Sequence, residues 1–249
     1  MSPVPPIPTS LEDVRIKLLP ANGYYIADFI SLEEEEGLLN KIEAAPKPRW
    51  KQLAHRRLQT WPSDLTRDTL LQCLLPKWLV EPIATRLLAC PASTADPQSH
   101  IFSTSPHAAP NHVLINQYQP GEGIMPHKDG AAYHPVVCTV SLGSSLVLDV
   151  YGTNEDGTRE TEPRFRILQE PRSLLITTGE LYTDYLHGIA EVHEDVNLGP
   201  DTVSNWDLLR SPELIVDGKL QRSTRTSLTY RDVKKVVKLG GKFAIFGKS

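Results

Sequence analysis

The second half of the chain is a succession of short β-rich runs separated by Gly, Pro, Asn and Asp. The runs at 136–142, 146–151 and 173–178, for example, are each about as long as one strand. Short strands at such spacing are typical of a sandwich or a barrel. A last alternating run at 224–230 predicts one more strand. These strands are therefore expected to form the scaffold of the protein.

The first half has a different pattern, which predicts helices. Residues 24–30 predict a short strand, after which Ser31 and Glu34 match a capping box at a helix start. A second helical region at 65–90 is interrupted by prolines, so two helices are expected there. Residues 91–111 are rich in Pro, Ser and Ala and predict a loop. The whole pattern favours an α+β protein with helices first and strands later.

The predicted organisation is a single domain with two short flanking segments. The segments are a Pro-rich flexible leader at 1–20, one domain at 21–235 (a helical region at 21–110 and a β core at 111–235), and a basic tail at 236–249. Within the core, residues 191–223 form a long insertion that carries seven acids. A loop of this length inside a compact domain is expected to be functional or disordered.

Composition narrows the class of protein. A net charge of −4 excludes a uniformly basic nucleic-acid binder, so any such partner must meet a local patch. The three cysteines are isolated, which favours a reducing compartment and argues against structural zinc held by cysteine. The N-terminus lacks the pattern of a signal peptide, and no apolar run is long enough for a membrane span. We expect a soluble, intracellular protein.

Candidate metal ligands come from a His-x-Asp pair. His127 and Asp129 point to the same side of an extended segment and can reach one metal ion. A second histidine would complete the two-His-one-carboxylate set that binds non-haem Fe(II) and leaves positions open. His187, 58 residues after Asp129, is the favoured third ligand. Three other histidines compete with it: His112, His134 and His193.

A second set of candidates lies on the last predicted strand. There, Arg225, Ser227, Thr229 and Arg231 follow a period of two and share one face. Two arginines on an inner face are costly to bury unless an anion pairs with them. A dicarboxylate meets that need, because the arginine fork binds carboxylates bidentately. Asn116 and Tyr118 add an amide and a phenol. The alternative is an exposed strand with salt-bridged arginines.

Residues 49–61 form a basic stretch with aromatic residues between the charges. Its candidate contacts with a substrate are Arg49, Trp50, Lys51, Arg56, Arg57 and Trp61. Cations neutralise phosphates, and aromatic rings offer stacking surfaces to bases. A basic loop whose tryptophans fill the core explains the composition equally well.

Taken together, these motifs resemble the AlkB-type Fe(II)/2-oxoglutarate dioxygenases, most closely the eukaryotic homologue-six subfamily. The similarity rests on Asn116-x-Tyr118, His127-x-Asp129, His187-Gly188-Ile189 and Arg225-x5-Arg231, and covers about residues 20–235. The chain departs from the family at Ser227, where the family has Asn. The resemblance implies a double-stranded β-helix (jelly-roll) core with N-terminal helices packed on one sheet.

The resemblance also implies roles for these residues. His127, Asp129 and His187 would hold Fe(II). Of the cosubstrate-binding set, Arg225 and Tyr118 would bind the distal carboxylate of 2-oxoglutarate, while Arg231 and Asn116 would lie near the carboxylate beside the keto group. Ser227 belongs to the same set. Residues 49–61 would correspond to a substrate-recognition lid.

The implied activity is oxidative demethylation of nucleic acid with Fe(II), 2-oxoglutarate and O2, releasing succinate, CO2 and formaldehyde. The same chemistry on a protein side chain is an alternative, favoured by the net negative charge and the acidic insertion. A non-catalytic nucleic-acid-binding module and a zinc hydrolase are further alternatives. Expected partners are DNA or RNA, or a protein substrate. No association with a membrane is expected. We also expect a monomer in the nucleus and cytoplasm.

Overall fold

The computed structural model describes residues 5–20 and 22–238 and contains two main antiparallel sheets. In chain order the strands are β1 (Gly23–Ile26), β2 (Lys51–Leu53), β3 (Arg56–Trp61), β4 (Thr69–Leu71), β5 (His112–Tyr118), β6 (Ile124–His127), β7 (Val136–Leu142), β8 (Leu146–Tyr151), β9 (Phe165–Gln169), β10 (Leu174–Thr178), β11 (Leu186–Ile189), β12 (Glu194–Asp195), β13 (Leu220–Gln221), β14 (Arg225–Arg231) and β15 (Lys235–Val237). The α-helices are α1 (Leu32–Glu43), α2 (Lys77–Leu79), α3 (Thr85–Ala89) and α4 (Glu180–Thr183).

The larger sheet has seven strands in the order β1-β10-β7-β14-β5-β3-β2, and the smaller has four in the order β6-β11-β8-β9. Side chains from both sheets line one cavity, so the sheets enclose it between their inner faces. Strand neighbours that are distant in sequence, such as β14 between β5 and β7, are typical of a jelly roll. The predicted double-stranded β-helix is confirmed.

The outer face of the seven-stranded sheet is covered by the N-terminal helices. Leu38 and Ile42 of α1 belong to the same buried cluster as Ile115 of β5 and Leu228 of β14. α1 begins with the predicted capping box, in which Ser31 and Glu34 each accept a hydrogen bond from the other's backbone N–H. The helices therefore pack on the outer face of the sheet, and its inner face lines the cavity.

The predicted flexible leader is wrong for residues 10–19. Leu11, Ile16 and Leu19 are almost fully buried, and a 3₁₀ turn runs from Leu11 to Val14. The Leu11 N–H donates to the carbonyl of Pro91 at 2.9 Å. The apolar residues that follow the prolines supply enough buried surface to hold this segment in place.

The prediction of two helices at 65–90 is also wrong in its first half. Positive φ angles at Arg67 and Asp68 turn the chain into β4, which pairs in parallel with β15. Helix starts only at Lys77, and an extended backbone at Glu81 (φ −109°, ψ 128°) separates α2 from α3. The region 21–110 is thus less helical than expected, because it also contributes strands β1 to β4.

The basic tail predicted at 236–249 lies mostly outside the described residues, although residues 236–237 belong to β15. None of the helices in the described ranges is long and apolar enough to cross a membrane. The cysteines Cys73, Cys90 and Cys138 are free.

The acidic insertion is ordered and covers the outer face of the four-stranded sheet. Leu198 and Val203 pack against Val147 of β8 and Leu168 of β9. A buried ion pair between Arg222 and Asp195 (2.6 Å) closes its base. The acidic residues therefore belong to a segment that packs against the sheet.

Candidate metal centre and active site

The cavity between the two sheets has a volume of about 150 Å³ and receives the side chains predicted to bind metal and cosubstrate. Its polar lining includes Asn116, Tyr118, His127, Asp129, His187, Arg225, Ser227 and Arg231. The predicted period of two on β14 is confirmed, because Arg225, Ser227, Thr229 and Arg231 all face this cavity.

The three candidate metal ligands converge at one end of the cavity. His127 ends β6 and lies directly opposite His187 of β11, with ring centroids 4.5 Å apart. Asp129 follows two residues later. One donor atom from each of the three lies within 4.8 Å of the others, so the set can hold a metal ion.

The surroundings of the two imidazoles suit ligation of a metal. His127 Nδ1 lies 2.9 Å from the carbonyl of Met125 and donates to it in the tautomer that leaves Nε2 free. Burial lowers the pKa of His187 to about 4, so its ring is neutral at physiological pH. Two imidazole nitrogens and one carboxylate are the donors that non-haem Fe(II) favours.

The competing histidines do not join this group. His112 lies opposite Arg231 across β5 and β14, and its pKa is lowered to about 4, mainly by burial. His134 is near Thr104, and His193 lies beside Gly121, where an added Cβ would come within 2.9 Å of the ring. In the part of the chain that the structure describes, the only candidate metal cluster is His127, Asp129 and His187.

Arg231 links the metal-binding group to the sheet. Its Nη1 donates to Asp129 Oδ1 at 2.9 Å, and its guanidinium lies over the ring of Tyr133, 3.9 Å from the centroid. Little of the pair is exposed to solvent, and each charge offsets part of the cost of burying the other. Arg231 therefore orients the Asp129 carboxylate towards the two histidines.

Arg225 lies at the opposite end of the cavity and is buried without a counter-ion. Its Nη2 donates to Ser141 Oγ (2.8 Å) and to Gln169 Oε1 (3.0 Å), while its Nε has no hydrogen-bond partner. No carboxylate among residues 5–20 and 22–238 lies within ion-pair distance of it. Burial lowers its pKa to about 10, so it remains a cation at neutral pH.

The remaining predicted cosubstrate residues lie near Arg225 on β14 itself and on its neighbour β5. Tyr118 pairs with Arg225 across β5 and β14, and Asn116 pairs with Ser227. The side chains of Tyr118, Asn116 and Ser227 are almost fully buried. The Arg225 guanidinium carbon lies 5.9 Å from the centroid of the Tyr118 ring, and burial raises the pKa of that phenol. The cavity thus ends in a cation, a neutral phenol and short polar groups.

The basic stretch at 49–61 forms the β2–β3 hairpin at the edge of the seven-stranded sheet. The structure brings only Arg56 of this stretch to the cavity, where its Nε donates to Asn116 Oδ1 at 3.1 Å. Trp50 and Trp61 pack against the large core cluster, and Trp61 also meets Trp78 edge to face. The tryptophans are therefore structural, and one arginine faces the cavity. Contact of this stretch with a substrate stays a prediction.

Sequence reasoning missed Ser141 and Gln169, which hold the guanidinium of Arg225. Both are essentially inaccessible to solvent and come from β7 and β9. Ser141 pairs with Ser227 in the sheet, a relation fixed by strand register. The sequence offers no signal for the contact of Ser141 and Gln169 with Arg225, because no local pattern indicates which strands are neighbours.

Comparison with known proteins agrees with this geometry. Residues 23–231 match the family described as the 2OG-Fe(II) oxygenase superfamily. The chain belongs to this superfamily, which confirms the predicted fold and the predicted oxygenase class.

Among individual proteins, the chain is 41% identical over 234 residues to the "Probable RNA/DNA demethylase ALKBH6" of Danio rerio, with 92% of each chain covered. It is 28% identical to the "tRNA (carboxymethyluridine(34)-5-O)-methyltransferase alkbh8" of Xenopus tropicalis, covering 90% of this chain but 33% of that protein.

Solved structures show the same fold at low sequence identity. The structure titled "The structure of OsALKBH1" matches with a TM-score of 0.52 at 14% identity, covering 87% of this chain and 99% of that chain. An oxidoreductase of the 2OG-Fe(II) oxygenase family from Burkholderia pseudomallei also gives 0.52, at 11% identity, covering 92% and 95%.

Proposed function

We propose that this protein is an Fe(II)- and 2-oxoglutarate-dependent dioxygenase that demethylates nucleic acid. His127, Asp129 and His187 would hold Fe(II), and Arg225 and Tyr118 would bind the distal carboxylate of 2-oxoglutarate. Arg231, Asn116 and Ser227 would complete the cosubstrate site.

One observation carries the proposal: a cluster of metal donors and a buried, unpaired arginine open into the same cavity. An uncompensated buried cation is costly, and a bound carboxylate would offset that cost. A dicarboxylate that reaches from Arg225 to the metal would satisfy both ends of the cavity. A zinc hydrolase would use the three ligands and leave Arg225 unexplained.

The chemistry divides between the bound groups and the protein. When bound, Fe(II) with O2 and 2-oxoglutarate would supply the oxidising power that hydroxylates an N-methyl group, which then leaves as formaldehyde. Arg225, held by Ser141 and Gln169, would fix the cosubstrate in one orientation. Arg231 would hold the Asp129 carboxylate in place. The apolar walls, including Leu148 and Leu175, would exclude water.

The choice of nucleic acid as substrate rests on two supports. The similar protein from Danio rerio is named as a probable RNA/DNA demethylase. In addition, the basic β2–β3 hairpin lies beside the cavity and contributes Arg56 to its lining. A base within a duplex would have to be unstacked to enter a cavity of this kind.

The test is anaerobic titration with Fe(II) and 2-oxoglutarate, followed by succinate and formaldehyde release with panels of methylated DNA, RNA and protein. Stoichiometric formaldehyde with a methylated oligonucleotide is expected. Turnover with methylated protein alone would move the substrate to the alternative class. Failure to bind 2-oxoglutarate would contradict the dioxygenase assignment itself.

A further inference from the structure

The cations of the β2–β3 hairpin are not equivalent, because most of them already have partners. Arg49 donates to the carbonyls of Thr60 and Pro62 and lies over the ring of Trp61. Lys51 forms an ion pair with Asp64. These contacts hold the hairpin against the turn that follows it.

Arg57 is engaged on the outer side of the sheet. It pairs with Glu43 of α1 at 2.6 Å, donates to Gln117 Oε1 and lies over the ring of Trp50 at 4.0 Å. Adjacent residues of a strand point to opposite faces, so Arg56 and Arg57 face different sides of the same sheet. Two neighbouring arginines therefore have opposite surroundings.

Arg56 faces the cavity with most of its donors unused. Its Nε bonds Asn116, but no hydrogen bond of its two amino groups is present in the described ranges. No carboxylate of residues 5–20 or 22–238 lies within ion-pair distance of it. It is half-buried and lines the cavity together with Asn116 and Tyr118. A cation in this position can receive an anion that enters from solvent.

The other two arginines of the cavity already have an anion assigned. Arg231 pairs with Asp129, and Arg225 at the closed end would take the distal carboxylate of 2-oxoglutarate under the proposed function. Arg56 alone among these three remains without one. A planar guanidinium with two free amino groups matches the oxygens of a phosphodiester.

We propose that Arg56 binds a phosphodiester of the substrate strand and so holds that strand against the cavity beside Asn116. This inference rests on the proposed function, since it requires a nucleic-acid substrate. The same guanidinium chemistry would also accept a carboxylate of 2-oxoglutarate through its position next to Asn116. The experiment must therefore separate a phosphate contact from a cosubstrate contact.

The test compares Arg56→Gln, Arg56→Lys and Arg57→Gln with the wild-type protein loaded anaerobically with Fe(II) and 2-oxoglutarate. The probe is a short single-stranded oligonucleotide with one N-methylated base, titrated at several salt concentrations. Arg56→Gln should bind it about tenfold more weakly, because a charge-assisted hydrogen bond is lost. The slope of log K against log salt should also fall by about 0.7, the value for one phosphate on a single strand.

Arg57→Gln removes the same charge one residue away and serves as the matched control. It should leave both the affinity and the salt slope unchanged. Arg56→Lys keeps the charge without the fork and should restore the slope but only part of the affinity. The 2-oxoglutarate affinity of all three variants should equal that of the wild type, and thermal unfolding of each variant checks its fold.

Two results would overturn the inference alone. In one, Arg56→Gln weakens 2-oxoglutarate binding and leaves oligonucleotide binding intact, which makes Arg56 a cosubstrate contact. In the other, Arg56→Gln and Arg57→Gln behave alike, which leaves only a general electrostatic effect. If the wild-type protein neither binds nor demethylates any oligonucleotide, the proposed substrate class fails as well, and the inference is rejected with it.

Discussion

Two parts of the cavity lining are built in different ways. The inner part, called the closed end below, consists of Arg225, Ser141, Gln169 and Tyr118, which are nearly inaccessible to solvent and come from β14, β7, β9 and β5. The second part, called the mouth below, consists of the half-buried Arg56 and the adjacent hairpin turn, where His55 lies 3.4 Å from Glu191. The side chains of this last pair are 56% and 45% exposed.

The difference separates the residues that would hold the cosubstrate for the reaction from those that would select the substrate. At the closed end, the Arg225 guanidinium is held by Ser141 and Gln169 on other strands, so its geometry is fixed before any ligand arrives. At the mouth, contacts are exposed and screened by water, so each contributes little to stability. Substitutions at the mouth are therefore expected to disturb the cavity less than substitutions at the closed end.

The largest effect is expected at the metal-binding group. Asp129→Asn keeps the size of the side chain but removes the charge that pairs with Arg231 and that would bind the proposed Fe(II). Succinate release should fall by roughly a hundredfold or more, beyond the effect typical of residues that only support a ligand. The assay is succinate formation with Fe(II) affinity measured in parallel, and exposed Asp184→Asn serves as control. Undiminished turnover would remove Asp129 from the metal site.

Arg225→Met should have the next largest effect, confined to the cosubstrate. Losing a charged, forked donor should weaken 2-oxoglutarate binding by about 10- to 100-fold while Fe(II) affinity stays unchanged. Arg225→Lys should give an intermediate affinity, because it retains charge without the fork. Anaerobic titration measures both ligands. Equal 2-oxoglutarate affinity in the Met variant would mean that this arginine is purely structural.

His112, at the start of β5, tests whether water is excluded from the face of the sheet that lines the cavity. Burial lowers its pKa to about 4, below its ordinary value, so the unfolded chain binds the proton more readily. The stability contributed by the neutral ring is present above pH 6.5 and is lost as pH falls to about 4. The loss should be on the order of 3 kcal/mol.

The measurement is urea unfolding between pH 7 and pH 4 for the wild type and His112→Gln. The variant lacks the titrating ring, so its stability should fall less steeply over this interval. Parallel curves would show that His112 is more hydrated than its burial indicates.

The smallest effect is expected at the mouth. Glu191→Gln weakens the contact with His55, an exposed pair. The free energy of unfolding should change by at most about 1 kcal/mol, and 2-oxoglutarate affinity should not change at all. Chemical denaturation and anaerobic titration measure the two quantities. A large loss of cosubstrate affinity here would end the distinction between the mouth and the closed end.

Much of the site could be predicted because its motifs are local. His127 with Asp129, Asn116 with Tyr118, and Arg225 with Arg231 each lie on one strand or its end, where the period of two decides which side chains share a face. The helix start at Ser31 was predictable for the same reason, since a capping box spans four residues.

The wrong predictions concern segments whose structure depends on contacts with residues that are distant in the sequence. The segment around Leu11 and Ile16 is proline-flanked and looked flexible, yet it packs into the core. Residues 69–71 became β4 because β15, more than 160 residues later, offers its edge. Propensity within a window carries no information about such partners.

By itself, the sequence determined the strand-borne motifs, the jelly-roll class and the family. Only the tertiary structure placed His187 opposite His127, brought Ser141 and Gln169 to Arg225, and singled out Arg56 among the hairpin cations. The physical reason is strand register. Side-chain alternation along one strand can be read from the chain, but which strands become neighbours is settled by burial of all their apolar faces at once.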